Sequence, residues 1–291
     1  MPTRLPYFAY GSNLLQRDLR RWCREHGRPY PLKAKLANAY LPDHESVFDI
    51  YSRSRRGGVL DVQPRLGQAV PGVLFEMEPE GWLALDQKEG TPRLYERMEV
   101  QVIVPGQGLI PAVTYRSNPV ARSEKVVPPS KHYLQVVREG LAEHGLEDQV
   151  VVAVAKGHTP PYLIPRIFVY GTLLEGQRNH HFITADRHIA PPQEARLPGL
   201  LYDFGAFPGY WPEKDGWVWG QLWEVDDLDE ILVKLDVLEG FYGWDQPDNF
   251  YRRELREVEL APRGGELLAW TYCLCERPLK PAIKSGDWRR R

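Results

Sequence analysis

Cysteine is nearly missing from this sequence: Cys23, Cys273 and Cys275 are the only three in 291 residues. An odd count without a CxxC spacing excludes a disulfide framework or a zinc knuckle as the organising device, and a reducing, cytoplasmic setting is expected. Cys23 falls in an Arg-rich helical segment and reads as a small packed residue. Cys273 and Cys275 share a strand face at i, i+2 and would touch a metal only with ligands from elsewhere. Long apolar runs are also lacking, since none approaches 18 residues. The N-terminus MPTRLPYFAYG does not have the basic-then-apolar layout of a signal peptide, so neither a membrane partner nor secretion is expected. Nor is there an excess of one charge: 37 Lys+Arg against 39 Asp+Glu give a net charge of -2. The basic clusters RSRR (53–56) and WRRR (288–291) have no aromatic-interleaved groove around them, so nucleic acid is not an expected partner.

What the chain does have is an internal repeat. YFAYGSN at 7–13 is echoed by IFVYGTL at 167–173, and four further matches follow in the same order. GVLFEM (72–77) answers GQLWEV (220–225), LDQKEG (85–90) answers LDVLEG (235–240), YERMEVQV (95–102) answers YRRELREV (251–258), and AVTY (112–115) answers AWTY (269–272). Five ordered matches, in a chain long enough for two cores, imply two homologous fused domains. GHTPPYLIP at 157–165 breaks regular structure between them, giving expected domains 1–160 and 161–291.

Alternating or apolar runs such as FEM, MEVQVIV, AVTYR, IFVYG, LWEV and LLAWTYCL predict strands. Helices are predicted in NLLQRDLRRWCREHG, PEGWLALDQKEG, PSKHYLQVVREGLAEHG with Ser130 as N-cap, DLDEILVKLDVLEG and GQRNHHFI. In DLDEILVKLDVLEG, Leu228, Ile231, Leu232, Leu235 and Leu238 form one stripe, and Gly240 ends the helix as a left-handed cap. No central βαβ alternation is present. The expected class is α+β, each domain a small mixed β-barrel with peripheral helices.

The Tyr-Gly dipeptides end a strand either in a tight turn or in a nest of converging N–H groups that holds an anion. Glu89 and Glu239 each precede the glycine that closes a helix, at the negative end of its dipole, where an extra carboxylate is mildly unfavourable. Such a residue is either a solvated surface carboxylate or a functional one. In both copies the glutamate stands in a D-x-x-E-G pattern downstream of a YG turn.

Together, Tyr10-Gly11-Ser12-Asn13, Gly57-Gly58, Gly72-Val73-Leu74, Leu85-Asp86-Gln87-Lys88-Glu89-Gly90, Pro129 to Tyr133 and the AEHGL turn resemble a gamma-glutamylcyclotransferase. The second half, with Tyr170-Gly171-Thr172-Leu173, GQRNHHFI (176–183), FPGYW (207–211) and Glu239, resembles the AIG2-like branch, especially gamma-glutamylamine cyclotransferase. The resemblance covers nearly the whole chain. It implies a cavity at each YG loop, with Tyr10, Gly11, Ser12, Asn13 and Leu14, and Tyr170, Gly171, Thr172 and Leu173, holding the α-carboxylate end of a γ-glutamyl group. Glu89 and Glu239 match the acid/base position, the products are 5-oxoproline and a free amine or amino acid, and no cofactor or metal is implied. The implied partner is therefore a small γ-glutamyl substrate.

The residue types suit that reaction on physical grounds. The nucleophile is the substrate's own α-amino group, and a carboxylate whose pKa burial has lifted accepts its proton near neutrality. Closure of a five-membered ring needs no serine or cysteine nucleophile. Tyr115 and Tyr272 are expected either to close the pockets or to pack in the core, and Asn179, His180 and His181 either line the second cavity or cap a turn. Lys88 beside Glu89 would weaken it as a base if turned inward, whereas Glu239 has Leu238 and Phe241 beside it, so the second domain is expected to carry the better amine-type site. The rival reading is a non-catalytic protein that binds a small carboxylate, or an interaction module, on the same fold.

Overall fold

The computed structural model describes residues 5–184, 190–262 and 264–291. Two compact units emerge, one running up to Leu163 and the other comprising Ile164–Arg291 together with the short Pro105–Gly108 turn. Both belong to the α+β class, and their sheets are built on one plan.

In the first unit, β1 (Tyr7–Ala9) pairs antiparallel with β3 (Gly57–Met77) and parallel with β5 (Gly108–Ser117). β2 (Leu32–Ser52) and β4 (Tyr95–Val104) complete the order β1-β3-β2-β4-β5. In the second unit β6 (Arg166–Val169) takes the place of β1, antiparallel to β10 (Trp217–Glu224) and parallel to β12 (Glu266–Leu274). β11 (Tyr251–Leu260) and β7 (Gln193–Pro198) then close it into a barrel ordered β10-β6-β12-β11-β7. A separate ribbon of β8 (Leu200–Asp203) and β9 (Pro208–Trp211) lies in the same unit.

The repeated sequence blocks make repeated contacts. Thr114 Oγ1 donates to the Phe8 carbonyl at 2.8 Å, and Thr271 Oγ1 to the Phe168 carbonyl at 3.1 Å. The Phe8–Tyr10 and Phe168–Tyr170 ring pairs share a 6.4 Å separation and a 31° tilt. Apolar side chains of the central strands, among them Phe8, Val73 and Phe75 in one unit and Ile167, Phe168 and Trp270 in the other, are buried to 2% exposure or less.

Helices flank the sheets: α1 (Gln16–Glu25), α2 (Gly81–Glu89), α3 (Lys131–Glu143) and α4 (Gln149–Ala155) in the first unit, α5 (His181–Thr184) and α6 (Leu228–Glu239) in the second. Ser130 Oγ caps α3 by accepting from the Tyr133 N–H at 3.2 Å. On α6, Leu228, Ile231, Leu232 and Leu235 are buried as the stripe required, but Leu238, two residues before the Gly240 cap, stands 37% exposed. Of the GQRNHHFI segment, only His181–Ile183 falls within α5.

Candidate active sites

Both glutamates are aimed by the same device. α2 and α6 end at glycines in the left-handed region, Gly90 (φ 70°) and Gly240 (φ 63°), which stops each helix directly after Glu89 and Glu239. One turn earlier, Asp86 accepts the Tyr115 hydroxyl at 2.7 Å and the Arg97 Nε at 2.8 Å. Asp236 likewise accepts the Tyr272 hydroxyl at 2.5 Å and Arg253 at 3.1 Å. The tyrosines are held in turn from the strand side: Tyr10 OH donates to the Tyr115 carbonyl and Tyr170 OH to the Tyr272 carbonyl, each at 2.8 Å. Tyr115 and Tyr272 therefore do both things the sequence left open, packing in the core and lining the cavities. Asp86 and Asp236 were legible as the D of D-x-x-E-G, but their partners lie 11 to 36 residues away, so the tyrosine-aspartate-arginine lock had no local signal.

The first cavity, of about 750 Å³, is lined by Tyr10, Gly11, Ser12, Asn13, Glu89 and Tyr115, with further walls from α1, the β2–β3 hairpin and α3. Leu14 lies beneath the turn, fully buried and outside the lining. Asn13 is buried, and its Nδ2 donates to both Glu89 Oε1 and the Tyr7 hydroxyl, each at 2.8 Å. A carboxylate only accepts, which fixes the amide with nitrogen toward Glu89. Lys88 is turned inward: its side chain is 7% exposed, with Nζ 3.8 Å from Glu89 Oε1 and 3.4 Å from Ser12 Oγ. Burial pulls the ammonium's pKa below its ordinary value, against the opposing pull of Glu89.

Across the cavity, Arg55 grips Asp18 with both terminal nitrogens, at 2.6 and 3.3 Å, and Arg21 reaches the same carboxylate at 2.5 Å. Burial alone would raise the Asp18 carboxyl, but the Arg55 hydrogen bonds and charge win and hold it below the usual range. Arg55 comes from RSRR, so that cluster belongs in part to the cavity wall rather than to a basic surface.

The second cavity is about 30 Å³, lined by Tyr170, Gly171, Thr172, Leu173, Glu239 and Tyr272 with Phe207, Pro208 and Tyr251. Such a volume holds a water or two. Pro208, at the start of β9, sits so close over the YG turn that a Cβ on Gly171 would lie 2.4 Å from its Cγ, which is why that position is glycine. Burial among these apolar walls raises Glu239 to about 7. The walls differ from those expected: Leu238 faces out, and Phe241 packs under the Arg253 guanidinium. Where the first site has Tyr7 and Asn13, the second has Ile167 and Leu173, so its glutamate lacks the amide hold.

Asn179 Nδ2 donates to Thr172 Oγ1 at 3.0 Å, and the His180 ring packs 5.3 Å from Trp223, while His181 is exposed. None of the three lines the second cavity; Asn179 braces the turn instead. All three cysteines are free thiols, and no cluster of three or more potential metal-ligating side chains occurs among the described residues. No helix among them is long and apolar enough to cross a membrane.

Two mixed sheets, each with a YG turn facing a helix-terminal glutamate, define a tandem architecture of the AIG2-like kind. The family model described as "AIG2-like family" matches residues 69–152, and the one described as "Gamma-glutamyl cyclotransferase, AIG2-like" matches 167–290. This reverses the expected order of the halves: the AIG2-like match belongs to the first, and the gamma-glutamyl cyclotransferase match to the second. The YG turn and the D-x-x-E-G residues are common to both copies and do not separate the branches. A putative gamma-glutamylcyclotransferase of Vibrio cholerae is 36% identical over 126 residues, covering 43% of this chain and 96% of the relative. The gamma-L-glutamyl-butirosin B gamma-glutamyl cyclotransferase of Niallia circulans is 32% identical over 145 residues, covering 48% and 88%. A solved gamma-glutamyl cyclotransferase structure aligns with 26% identity and a TM-score of 0.44, over 54% of this chain and 88% of its own. The chain belongs to the gamma-glutamylcyclotransferase family.

Proposed function

We propose that this protein carries out intramolecular cyclotransfer on γ-glutamyl amides, releasing 5-oxoproline and a free amine or amino acid, with the N-terminal cavity as the working site. The observation that carries this is Glu89, fixed by Asn13 on the wall of a cavity of about 750 Å³ beside the YG turn. That volume is in the range of small-molecule sites, and 30 Å³ is not. The sequence points to the second domain as the better site because of its carboxylate, and burial does raise Glu239 to about 7. Space favours the first domain, since a γ-glutamyl group has to fit before a base can act on it.

In this reading Glu89 takes a proton from the substrate's α-ammonium group, and the freed amine attacks the γ-carbonyl carbon to close a five-membered ring. Collapse of the tetrahedral intermediate breaks the bond to the leaving nitrogen, which receives the proton from Glu89, and the ring nitrogen gives its second proton back to the freed carboxylate, from which it passes to solvent. Asn13 holds the carboxylate still throughout, so orientation need not be found anew at each turnover. The YG turn supplies N–H groups for the substrate's anionic end, and no cofactor enters the scheme. The lining, with aromatic, cationic and acidic side chains, suits a polar leaving group.

The test is a screen of γ-glutamyl amino acids and amines for 5-oxoproline release by wild type, Glu89→Gln, Glu239→Gln and the double variant. Glu89→Gln should lower kcat by on the order of 10²- to 10⁴-fold, the usual range for loss of a general base. Unchanged release by the double variant would refute the mechanism. Activity lost only in Glu239→Gln would move it to the second domain. The relative's name, which gives γ-glutamyl butirosin B as its substrate, makes that compound a useful member of the screen.

A further inference from the structure

The Lys88 side chain is 7% exposed, yet among the described residues its ammonium has one hydrogen-bond partner, Ser12 Oγ at 3.4 Å. An ammonium carries three donors, and a buried cation left with long, partial contacts is costly. Its nearest carboxylate is Glu89, at 3.8 Å, beyond hydrogen-bonding distance and already bonded to Asn13. Asp18 also draws on it electrostatically, but that carboxylate is held by Arg55 and Arg21. Of the cations on the cavity wall, Arg21 and Arg55 are thus committed to Asp18 and Arg56 is exposed, which leaves Lys88 as the buried cation with capacity to spare.

We propose that Lys88 and Ser12 bind the α-carboxylate of the γ-glutamyl group while Glu89 takes its α-ammonium, so that adjacent residues at the end of α2 read the two charges on one substrate carbon. The inference rests on the cyclotransferase reading and adds to the YG turn a cationic contact from the helix. A carboxylate and an ammonium on the same carbon lie about as far apart as a short ion pair, and Glu89 Oε1 and Lys88 Nζ offer the complementary charges at 3.8 Å. Docking would give Lys88 the charge-assisted bonds it lacks. It would also set the amine against the base in the pose that ring closure requires.

The second site has no such pair. Leu238 stands in the place of Lys88 and is 37% exposed, and Thr172 Oγ1, in the place of Ser12, accepts from Asn179. Discrimination for the α-carboxylate is therefore a property of the first domain.

The experiment compares two amides of the same amine, the γ-glutamyl amide and its 4-aminobutanoyl counterpart, which lacks only the α-carboxylate. Wild type, Lys88→Met and Lys88→Arg are assayed in the full chain for amine release. The same pair is titrated calorimetrically into Glu89→Gln and Glu89→Gln/Lys88→Met. Wild type should prefer the γ-glutamyl amide, and Lys88→Met should lose about 10- to 100-fold in kcat/KM on that substrate alone, the size expected for a hydrogen bond between charged groups. Lys88→Arg should recover part of the preference. Equal losses on both substrates, or none on either, would overturn the proposal, because a purely structural lysine cannot tell the two apart. Binding preference that depends on Lys88 without turnover would refute the enzymatic reading and leave the clamp standing; turnover with an unchanged preference would do the reverse. Absence of both turnover and binding would sink the two together.

Discussion

Glu239 offers the sharpest physical test, because its predicted signature is a change in stability rather than in rate. Burial in the small second cavity lifts its pKa from 4.5 in the unfolded chain to about 7 in the native state. Below pH 4.5 both states carry the proton, and the native state pays nothing. Between 4.5 and 7 the native state keeps a proton that the unfolded chain has released, so stability falls as pH rises through this window and levels off above the native pKa. The shift amounts to a loss of at most about 3 kcal/mol, fully expressed by pH 8. Glutamine has the shape of the protonated acid and cannot ionise. Glu239→Gln should therefore match wild type near pH 4.5 and exceed it progressively to pH 8, by up to on the order of 10 °C in the melting temperature of the second domain. Calorimetry of the full chain at a series of pH values reads this gap directly. A gap that stays constant from pH 4.5 to 8.5 would show that Glu239 is not buried as a neutral acid in the folded protein, and the argument from its apolar walls would fail.

Replacing Asn13 by Leu, the residue found at the matching place in the second domain, removes both of its hydrogen bonds and should lower kcat/KM by about 10- to 100-fold; undiminished steady-state turnover would mean that Glu89 needs no such hold. Tyr115→Phe and Tyr272→Phe each leave a part-buried aspartate short of a hydrogen bond, and each should cost about 1–3 kcal/mol in denaturant unfolding. Losses below a few tenths of a kcal/mol in both would count against the lock.

Much of this architecture is visible in the sequence because duplication makes it so. YFAYG and IFVYG mark the same central strand, AVTY and AWTY the strand that runs parallel to it, and the EG pairs mark helix ends that the structure confirms as left-handed caps. Local chemistry also reveals Ser130 as a cap and the α6 stripe up to Leu235. The 21-residue strands β2 and β3 are much less legible: register shifts at Leu32/Ala34, Lys35/Ala37, Pro42/His44 and Phe48/Ile50 repeatedly reset the alternation that a period-two reading requires. Cavity size is not legible at all. Pro208 closes one site from a ribbon 37 residues beyond Gly171, and Arg55 walls the other by pairing with Asp18 across 37 residues, so both depend on tertiary placement. The sequence leaves Lys88 free to turn in or out, and its surroundings turn it inward.

The tyrosine-aspartate-arginine lock has a consequence for how such a duplicated protein diverges. Asp86 and Asp236 fix the rotational phase of a helix one turn before the glutamate that the phase controls. The direction of the glutamate is thus set independently of the walls around it. The second copy has Leu173 and Leu238 where the first has Asn13 and Lys88, and a proline over its turn, with the lock unchanged. Selection can therefore reshape what enters such a pocket, or shut it, without having to rediscover where the carboxylate points.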